Sequence, residues 1–195
     1  MEPRTDIPTT MPTATTTTTT TELPLEPGRW ALDKAHARVG FAVRHLGLAK
    51  VRGFFADVDA ELVVGASPEH TAVSASIATA SIDTANPDRD AHLRGADLLD
   101  VEQRPTITFR STGISGSGED WTLDGDLTIG DVTGPISLDV QFSGVAEVFG
   151  GARHAGFEAR GELRREDFGL SFGPVDPVIG QVIRLELDLE FVAPA

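Results

Sequence analysis

Ile183-Arg184-Leu185-Glu186-Leu187-Asp188-Leu189-Glu190-Phe191 alternates apolar and charged side chains without a break. Successive side chains of a β-strand point to opposite faces, so this period of two puts Ile183, Leu185, Leu187, Leu189 and Phe191 on one face. Arg184, Glu186, Asp188 and Glu190 then face water. A helix would scatter the same residues around its axis, so the stretch reads as a half-buried strand.

The same pattern recurs upstream. Trp121, Leu123, Gly125, Leu127 and Ile129 oppose Thr122, Asp124, Asp126 and Thr128. Ile136, Leu138, Val140 and Phe142 oppose Ser137, Asp139, Gln141 and Ser143, while Phe157, Ala159, Gly161 and Leu163 oppose Glu158, Arg160, Glu162 and Arg164. Val39, Phe41 and Val43, and then Val73, Ala75 and Ile77, continue the series. Gly-rich punctuation at 115–120, 130–134 and 149–152 implies short antiparallel connections. The expected fold is all-β: about eight antiparallel strands closed into a lipocalin-like barrel, because closure removes exposed edges. Alternation alone also admits a two-sheet sandwich.

One segment breaks the period. Asn86 suits a helix cap, Pro87 the first helical position, and Asp88 and Asp90 the positive N-terminal end. Leu93, Ala96, Leu99 and Val101 follow at helical spacing until Arg104–Pro105. This predicts one inserted amphipathic helix of about four turns lying over the barrel wall or an open end. A shorter turn is expected around His45–Leu48.

Bulk properties narrow the function. The 195 residues carry a net charge of −14, which repels nucleic-acid phosphates and disfavours adsorption to an anionic leaflet. The absence of cysteine excludes disulfides, thiolate metal sites and cysteine nucleophiles. No window is apolar enough to span a bilayer, so no stable membrane insertion is expected. Residues 1–27 contain a threonine run, Thr15–Thr21, flanked by prolines and without an apolar face; they read as a disordered tail ahead of a 28–195 domain. With no signal-like apolar stretch near Met1, the chain is expected in the cytoplasm.

Function turns on whether the barrel is filled or hollow. Phe41, Val43, Ile77, Leu93, Phe109, Trp121, Leu127, Phe142 and Phe157 are the candidate lumen residues. Aromatic residues in such a series can be plain core or ligand-lining. Small inward residues (Ala75, Gly125, Ala159, Gly161) either leave ligand volume or merely relieve strand coiling. An apolar lumen selects a hydrocarbon. Each buried CH₂ contributes roughly 0.8 kcal/mol, so a five-carbon unit gives ~3 kcal/mol before ordering costs.

A succession of motifs carries a family resemblance. Trp30–Leu32–Asp33–Lys34–Ala35–His36 is followed by Val39–Gly40–Phe41–Ala42–Val43–Arg44–His45–Leu46–Gly47 and Val51–Arg52–Gly53–Phe54–Phe55. Next come Ala80–Ser81–Ile82–Asp83–Thr84, Arg89–Asp90–Ala91–His92–Leu93–Arg94 and Asp97–Leu98–Leu99–Asp100. Pro105–Ser111, Gly125–Ile129, Ala155–Gly156–Phe157 and Arg165–Glu166–Asp167–Phe168–Gly169 complete the series. In this order, from about Gly28 to Val192, the chain resembles the YceI-like polyisoprenoid-binding family. That resemblance implies a lipocalin-like barrel with a helix, whose lumen takes polyisoprenoids or similar long-chain lipids. Leu98 departs from the family, which tends to have an aromatic there; the change would enlarge the space under the helix.

The chemistry-bearing residues point to binding. His36, His45, His70, His92 and His154 show no HxH, HExxH or carboxylate-paired spacing, so no metal is expected. No nucleophile elbow or nucleotide-binding glycine fingerprint is present, so neither Ser–His–Asp catalysis nor a nucleotide cofactor is expected, and no cofactor of another kind is called for. Arg44, His45, Arg89 and His92 are the candidates for the mouth. They either bind a polar or pyrophosphate head, for which an arginine fork is suited, or tie the helix to the barrel. Three readings follow: a non-enzymatic lipid carrier, storage or sequestration protein; an enzyme using His92 or His45 as general acid or base on a bound lipid; and a filled barrel that binds a protein partner outside. The oligomeric state is left open, a homodimer included.

Overall fold

The computed structural model of the protein describes residues 25–148 and 150–194. Residues 1–24 of the expected tail lie outside them. Leu25 and Glu26, at its end, belong to the folded unit: Leu25 packs on the core and the Glu26 carbonyl accepts from Trp30 Nε1 at 3.0 Å.

Eleven strand segments form one antiparallel sheet that closes on itself into an eight-stranded barrel. The two counts differ because three of the eight strands are interrupted. β1 (Gly28–Leu32) and β2 (Arg38–His45) run in one direction through a 3₁₀ turn at Lys34–His36. β3 (Ala49–Phe55) continues into β4 (Val58–Val64), and β5 (Ala72–Ala78) continues through a turn at Thr79–Ser81 into β6 (Ile82–Asp83). The remaining strands are long: β7 (Thr106–Ser117), β8 (Asp120–Ile129), β9 (Val132–Glu147), β10 (Arg153–Arg164) and β11 (Ile179–Val192). β11 closes the ring. It pairs with β10 along its length, with β2 through Asp188↔Arg38, and with β1 at Phe191↔Leu32. Closure leaves the wall without a free edge over most of its circumference, and the sandwich alternative falls away.

Register assigns each connection to one of two ends. His45↔Ala49, Ile129↔Val132 and Arg164↔Val182 place the 46–48 and 130–131 hairpins and the 165–178 segment at one end. The Ser117↔Asp120 and Arg153↔Glu147 pairs place the 118–119 and 148–152 turns at the other. The turn expected near His45–Leu48 is the first of these hairpins. Leu48 N donates to His45 O at 3.0 Å, and Leu46 and Gly47 both have positive φ (54° and 69°). A leucine held left-handed costs roughly 1–2 kcal/mol that asparagine or glycine would largely avoid.

The helix is shorter than its periodicity implies. α1 (Pro87–Arg94) is capped as expected, with the Asn86 side chain accepting from Arg89 N at 3.0 Å and Pro87 opening the first turn. It stops after two turns rather than four. Gly95 leaves the helical region (φ −63°, ψ 162°), and residues 96–104 fold into successive turns. Leu98 and Leu99 are buried from those turns instead of from a continuous helix. Glycine's low helical propensity and the gain from burying two leucines outweigh helix continuation.

One apolar cluster runs along the inner face of the barrel wall. It includes Trp30, which is fully buried, with Leu62, Ile107, Phe109, Trp121, Ile136, Phe142, Leu163, Phe168 and Phe191. At the end opposite the helix Phe157 lies 5.4 Å from Phe142 and 5.9 Å from Phe191 between centroids. A bulge opposite Gly156 and Phe157 leaves Ser143 as the extra residue of β9, so that Val145, three residues beyond Phe142, also packs on the core opposite Ala155.

Candidate functional site: an apolar lumen and its mouth

The barrel is hollow. A cavity of about 510 Å³ runs along its axis, within the range of small-molecule sites. The small inward residues play two different parts. Ala75 and Ala159 line the cavity. The glycines do not create its volume: a Cβ on Gly125 would stand 2.4 Å from the Phe109 ring, and one on Gly161 would stand 2.6 Å from Leu138 Cδ2. Both glycines receive a side chain from the neighbouring strand. The space exists because the central wall is built of medium-sized apolar residues that stop short of the axis.

All nine candidate lumen residues (Phe41, Val43, Ile77, Leu93, Phe109, Trp121, Leu127, Phe142 and Phe157) lie on the cavity wall. Leu98 joins them from beneath the helix end. Polar groups gather at the end that carries α1. His45, Arg89 and His92 are on the wall there, while Arg44, one residue out of phase, points outward and donates to the Leu48 carbonyl at 3.1 Å. Strand alternation accounts for the separation of Arg44 from His45.

Arg89 is largely committed to structure. Its Nε donates to Thr84 Oγ1 at 2.7 Å and its Nη2 to the Thr84 carbonyl at 2.8 Å. Buried Asp90 accepts from Thr84 N at 2.9 Å and Thr84 Oγ1 at 2.5 Å. Together they fasten α1 to β6. Arg89 Nη1 has no partner among the described residues, so part of the fork is left to face a ligand. His92, half exposed, lies 3.3 Å from Asp97.

A buried cation sits at the same end and was not among the sequence candidates. Arg165 is fully buried and lines the cavity. Its guanidinium is saturated by Asp176, by the Leu170 and Gly180 carbonyls at 2.8 and 3.1 Å, and by Ile179 O at 3.3 Å. Arg165 holds the Asp176 carboxyl at about 2, well below the ordinary value, with help from the Phe172 amide. Arg165 therefore braces the 170–180 segment that forms part of the mouth, and its donors are not free for a head group.

An eight-stranded closed barrel with an apolar axial cavity, framed by a short helix and a braced loop, defines a binding fold of the lipocalin-like class. Residues 30–191 match the YceI-like domain, and the chain belongs to that family. It is 36% identical to Protein YceI of Escherichia coli O17:K52:H18 over 154 residues, covering 77% of this chain and 81% of that protein. The solved Campylobacter jejuni YCEI protein superposes with a TM-score of 0.70 at 30% identity, covering 84% of this chain and 97% of the other. A polyisoprenoid-binding domain from Saccharophagus degradans, implicated in plant cell wall breakdown, shares the fold with a TM-score of 0.63 at 17% identity, covering 85% and 98%.

Proposed function

We propose that the protein binds one long-chain apolar lipid, of the polyisoprenoid class, inside the barrel as a carrier, storage or sequestration protein without chemical turnover. The observation that supports this most is the axial cavity of about 510 Å³ lined by apolar side chains. A ligand there gains mainly from hydrocarbon burial, about 0.8 kcal/mol per CH₂, so affinity rises with chain length and depends little on the head. Saccharophagus degradans supplies a fold neighbour described as polyisoprenoid-binding, and the lumen of this chain has the chemistry such a ligand requires. The mouth offers His45, His92 and the unused N–H groups of Arg89 for a polar head.

The lumen carries its own reporter. Trp121 lines the cavity, whereas Trp30 is buried away from it. Titrating farnesol and then geranylgeraniol while following tryptophan emission is expected to give a saturable change at one ligand per chain, with the longer alcohol binding more tightly. Equal affinities, or no change at saturating ligand, would remove the reading. A cytoplasmic location is a separate matter, tested by fractionating the native host.

A further inference from the structure

The net charge of −14 is unevenly laid out. Between Lys34 and Ala56 the chain carries Lys34, Arg38, Arg44, Lys50 and Arg52 and no aspartate or glutamate. This run is the β2–β3 hairpin. Lys34 is engaged by Asp57 and Asp59, and Arg38 lies over the Phe54 ring. Arg44 and Lys50 face each other across the strands on the outward side, and Arg52 opposes Ala42 one pair further on that same side. All three are exposed, and no carboxylate lies within ion-pair distance of them among the described residues. Acidic groups are carried on the outer faces of β8 to β11 (Asp124, Asp126, Asp139, Glu158, Glu186 and Asp188). At the mouth end they lie far in sequence from this hairpin tip, on α1, the 96–104 turns, the 130–131 hairpin and the 165–178 segment (Asp88, Asp97, Glu102, Asp131, Glu166 and Asp167).

Exposed apolar side chains concentrate at the tip of this basic hairpin and beside it. Leu46 is 57% exposed and Leu48 79%, and Val175, in the segment leading into β11, is 47% exposed. Val132, in the next hairpin at that end, is 36% exposed. Val148 is the one large exposed apolar residue described at the opposite end. Val175 also lines the cavity, so the lumen meets solvent where these side chains stand. Nothing in the turn itself calls for Leu46, whose left-handed backbone would be easier for glycine or asparagine.

We propose that this end docks reversibly on a bilayer containing anionic phospholipid. Leu46, Leu48 and Val175 enter the interface, and Arg44, Lys50 and Arg52 face the headgroups. The two kinds of contact suit one surface: apolar tips bury in the interfacial layer while nearby cations gain from its negative potential. The acidic outer walls oppose close adsorption side-on, and the carboxylates elsewhere at the mouth oppose a flat approach, so the field of the molecule favours a pose tilted onto the β2–β3 hairpin. A few side chains and three cations give a contact that breaks easily, as loading and release require. The proposal rests on the lumen reading for its purpose, since a mouth pressed to a bilayer lets a hydrocarbon chain pass without crossing water. The overall charge, taken as uniform, predicts no adsorption; its distribution reverses that expectation along the β2–β3 hairpin.

The test is flotation of the full chain with vesicles of phosphatidylcholine alone and of phosphatidylcholine mixed with phosphatidylglycerol. Wild type is expected to float with the mixed vesicles, less so as salt is raised. Leu48→Asp should lower partitioning about tenfold and Lys50→Glu about fivefold or more, while Val148→Asp leaves it unchanged. Failure of wild type to float, or equal behaviour of Leu48→Asp and Val148→Asp, overturns the proposal. Binding seen only with protein-containing membrane vesicles and abolished by proteolysis of those vesicles also overturns it, in favour of a protein partner. Geranylgeraniol titration of the same proteins without vesicles separates the two readings. Normal titration of Leu48→Asp with lost flotation supports both. Flotation by a chain that takes up no geranylgeraniol leaves docking standing and removes the lumen reading.

Discussion

Arg165 holds Asp176 through both terminal nitrogens of its guanidinium, at 2.7 and 2.9 Å, and the arginine is fully buried. Such a fork-to-carboxylate pair fixes orientation as well as charge. Taking away the cation strands a set of carbonyls and a half-buried carboxylate. Arg165→Ala is expected to destabilise the protein by about 3 kcal/mol in urea unfolding. Arg165→Lys should recover only part of this, because a point charge cannot reproduce the fork.

The same pair sets an acid limit. The Asp176 carboxyl sits at about 2 in the fold against an ordinary 3.8. Its contribution to stability is therefore fully present above 3.8 and is lost as pH falls toward 2. Thermal melts of wild type and Asp176→Asn, followed downward from pH 5, should converge across that window. A constant difference between them would show that the carboxylate's charge is not what is gained.

At the barrel seam the pH dependence has two sides. His36 Nδ1 and Asp33 Oδ2 lie 2.9 Å apart; this contact raises the His36 pKa above 6.5 and lowers that of Asp33 below 3.8. The raised histidine stabilises below 6.5 and loses its effect as pH climbs through the folded value. The lowered aspartate stabilises above 3.8 and fails as pH drops through its own. Between 3.8 and 6.5 both are present. The melting difference between wild type and His36→Ala should be largest there and shrink in alkali.

Close packing in the wall predicts a cost for the smallest addition. A Cβ at Gly125 would meet both Phe109 ring carbons at 2.4 Å and the Arg110 carbonyl at 2.6 Å. Gly125→Ala should destabilise by roughly 1–3 kcal/mol. Combining it with Phe109→Leu should restore part of the loss, because the ring contact is removed while the backbone contact stays. Strict additivity of the two changes would refute the packing described.

Filling the lumen should separate binding from folding. Ala159 lines the cavity and is 4% exposed. Ala159→Phe directs a ring into the empty space. Geranylgeraniol affinity is expected to fall at least about tenfold while the urea midpoint changes little, since a void is filled rather than a packed core overfilled. Undiminished affinity would mean that the ligand lies elsewhere.

Much of the barrel was legible in the sequence because alternation states directly which residues face inward: Ile183 to Phe191, Trp121 to Ile129 and Ile136 to Phe142 all keep that phase in the fold. The eight lumen candidates carried on strands stand on the cavity wall for this reason, and Leu93 reaches it from α1. The helix boundary was less legible, since Leu93, Leu99 and Val101 retain helical spacing although Gly95 ends the helix. Arg165 was hidden for a physical reason. Within Arg164-Arg165-Glu166-Asp167 it looks like one charge of a solvated run, and its carboxylate and most of its carbonyl partners come from a segment about ten residues on. The Asp33, His154 and Glu190 side chains, whose ligand atoms lie within 4.8 Å of one another, meet only because β1, β10 and β11 pair. No local spacing announces them. Hollowness was the least legible property: the small residues that seemed to signal it divide into alanines that line the cavity and glycines that are filled by neighbours.

Native mass spectrometry of the protein purified gently from its own host, followed by lipid extraction, goes most directly to the lumen. One long-chain apolar lipid per chain is the expected finding in wild type, with the adduct strongly reduced in Ala159→Phe. A bare chain at every detergent concentration, or an adduct that is polar or indifferent to Ala159→Phe, would show that the cavity is not a hydrocarbon site.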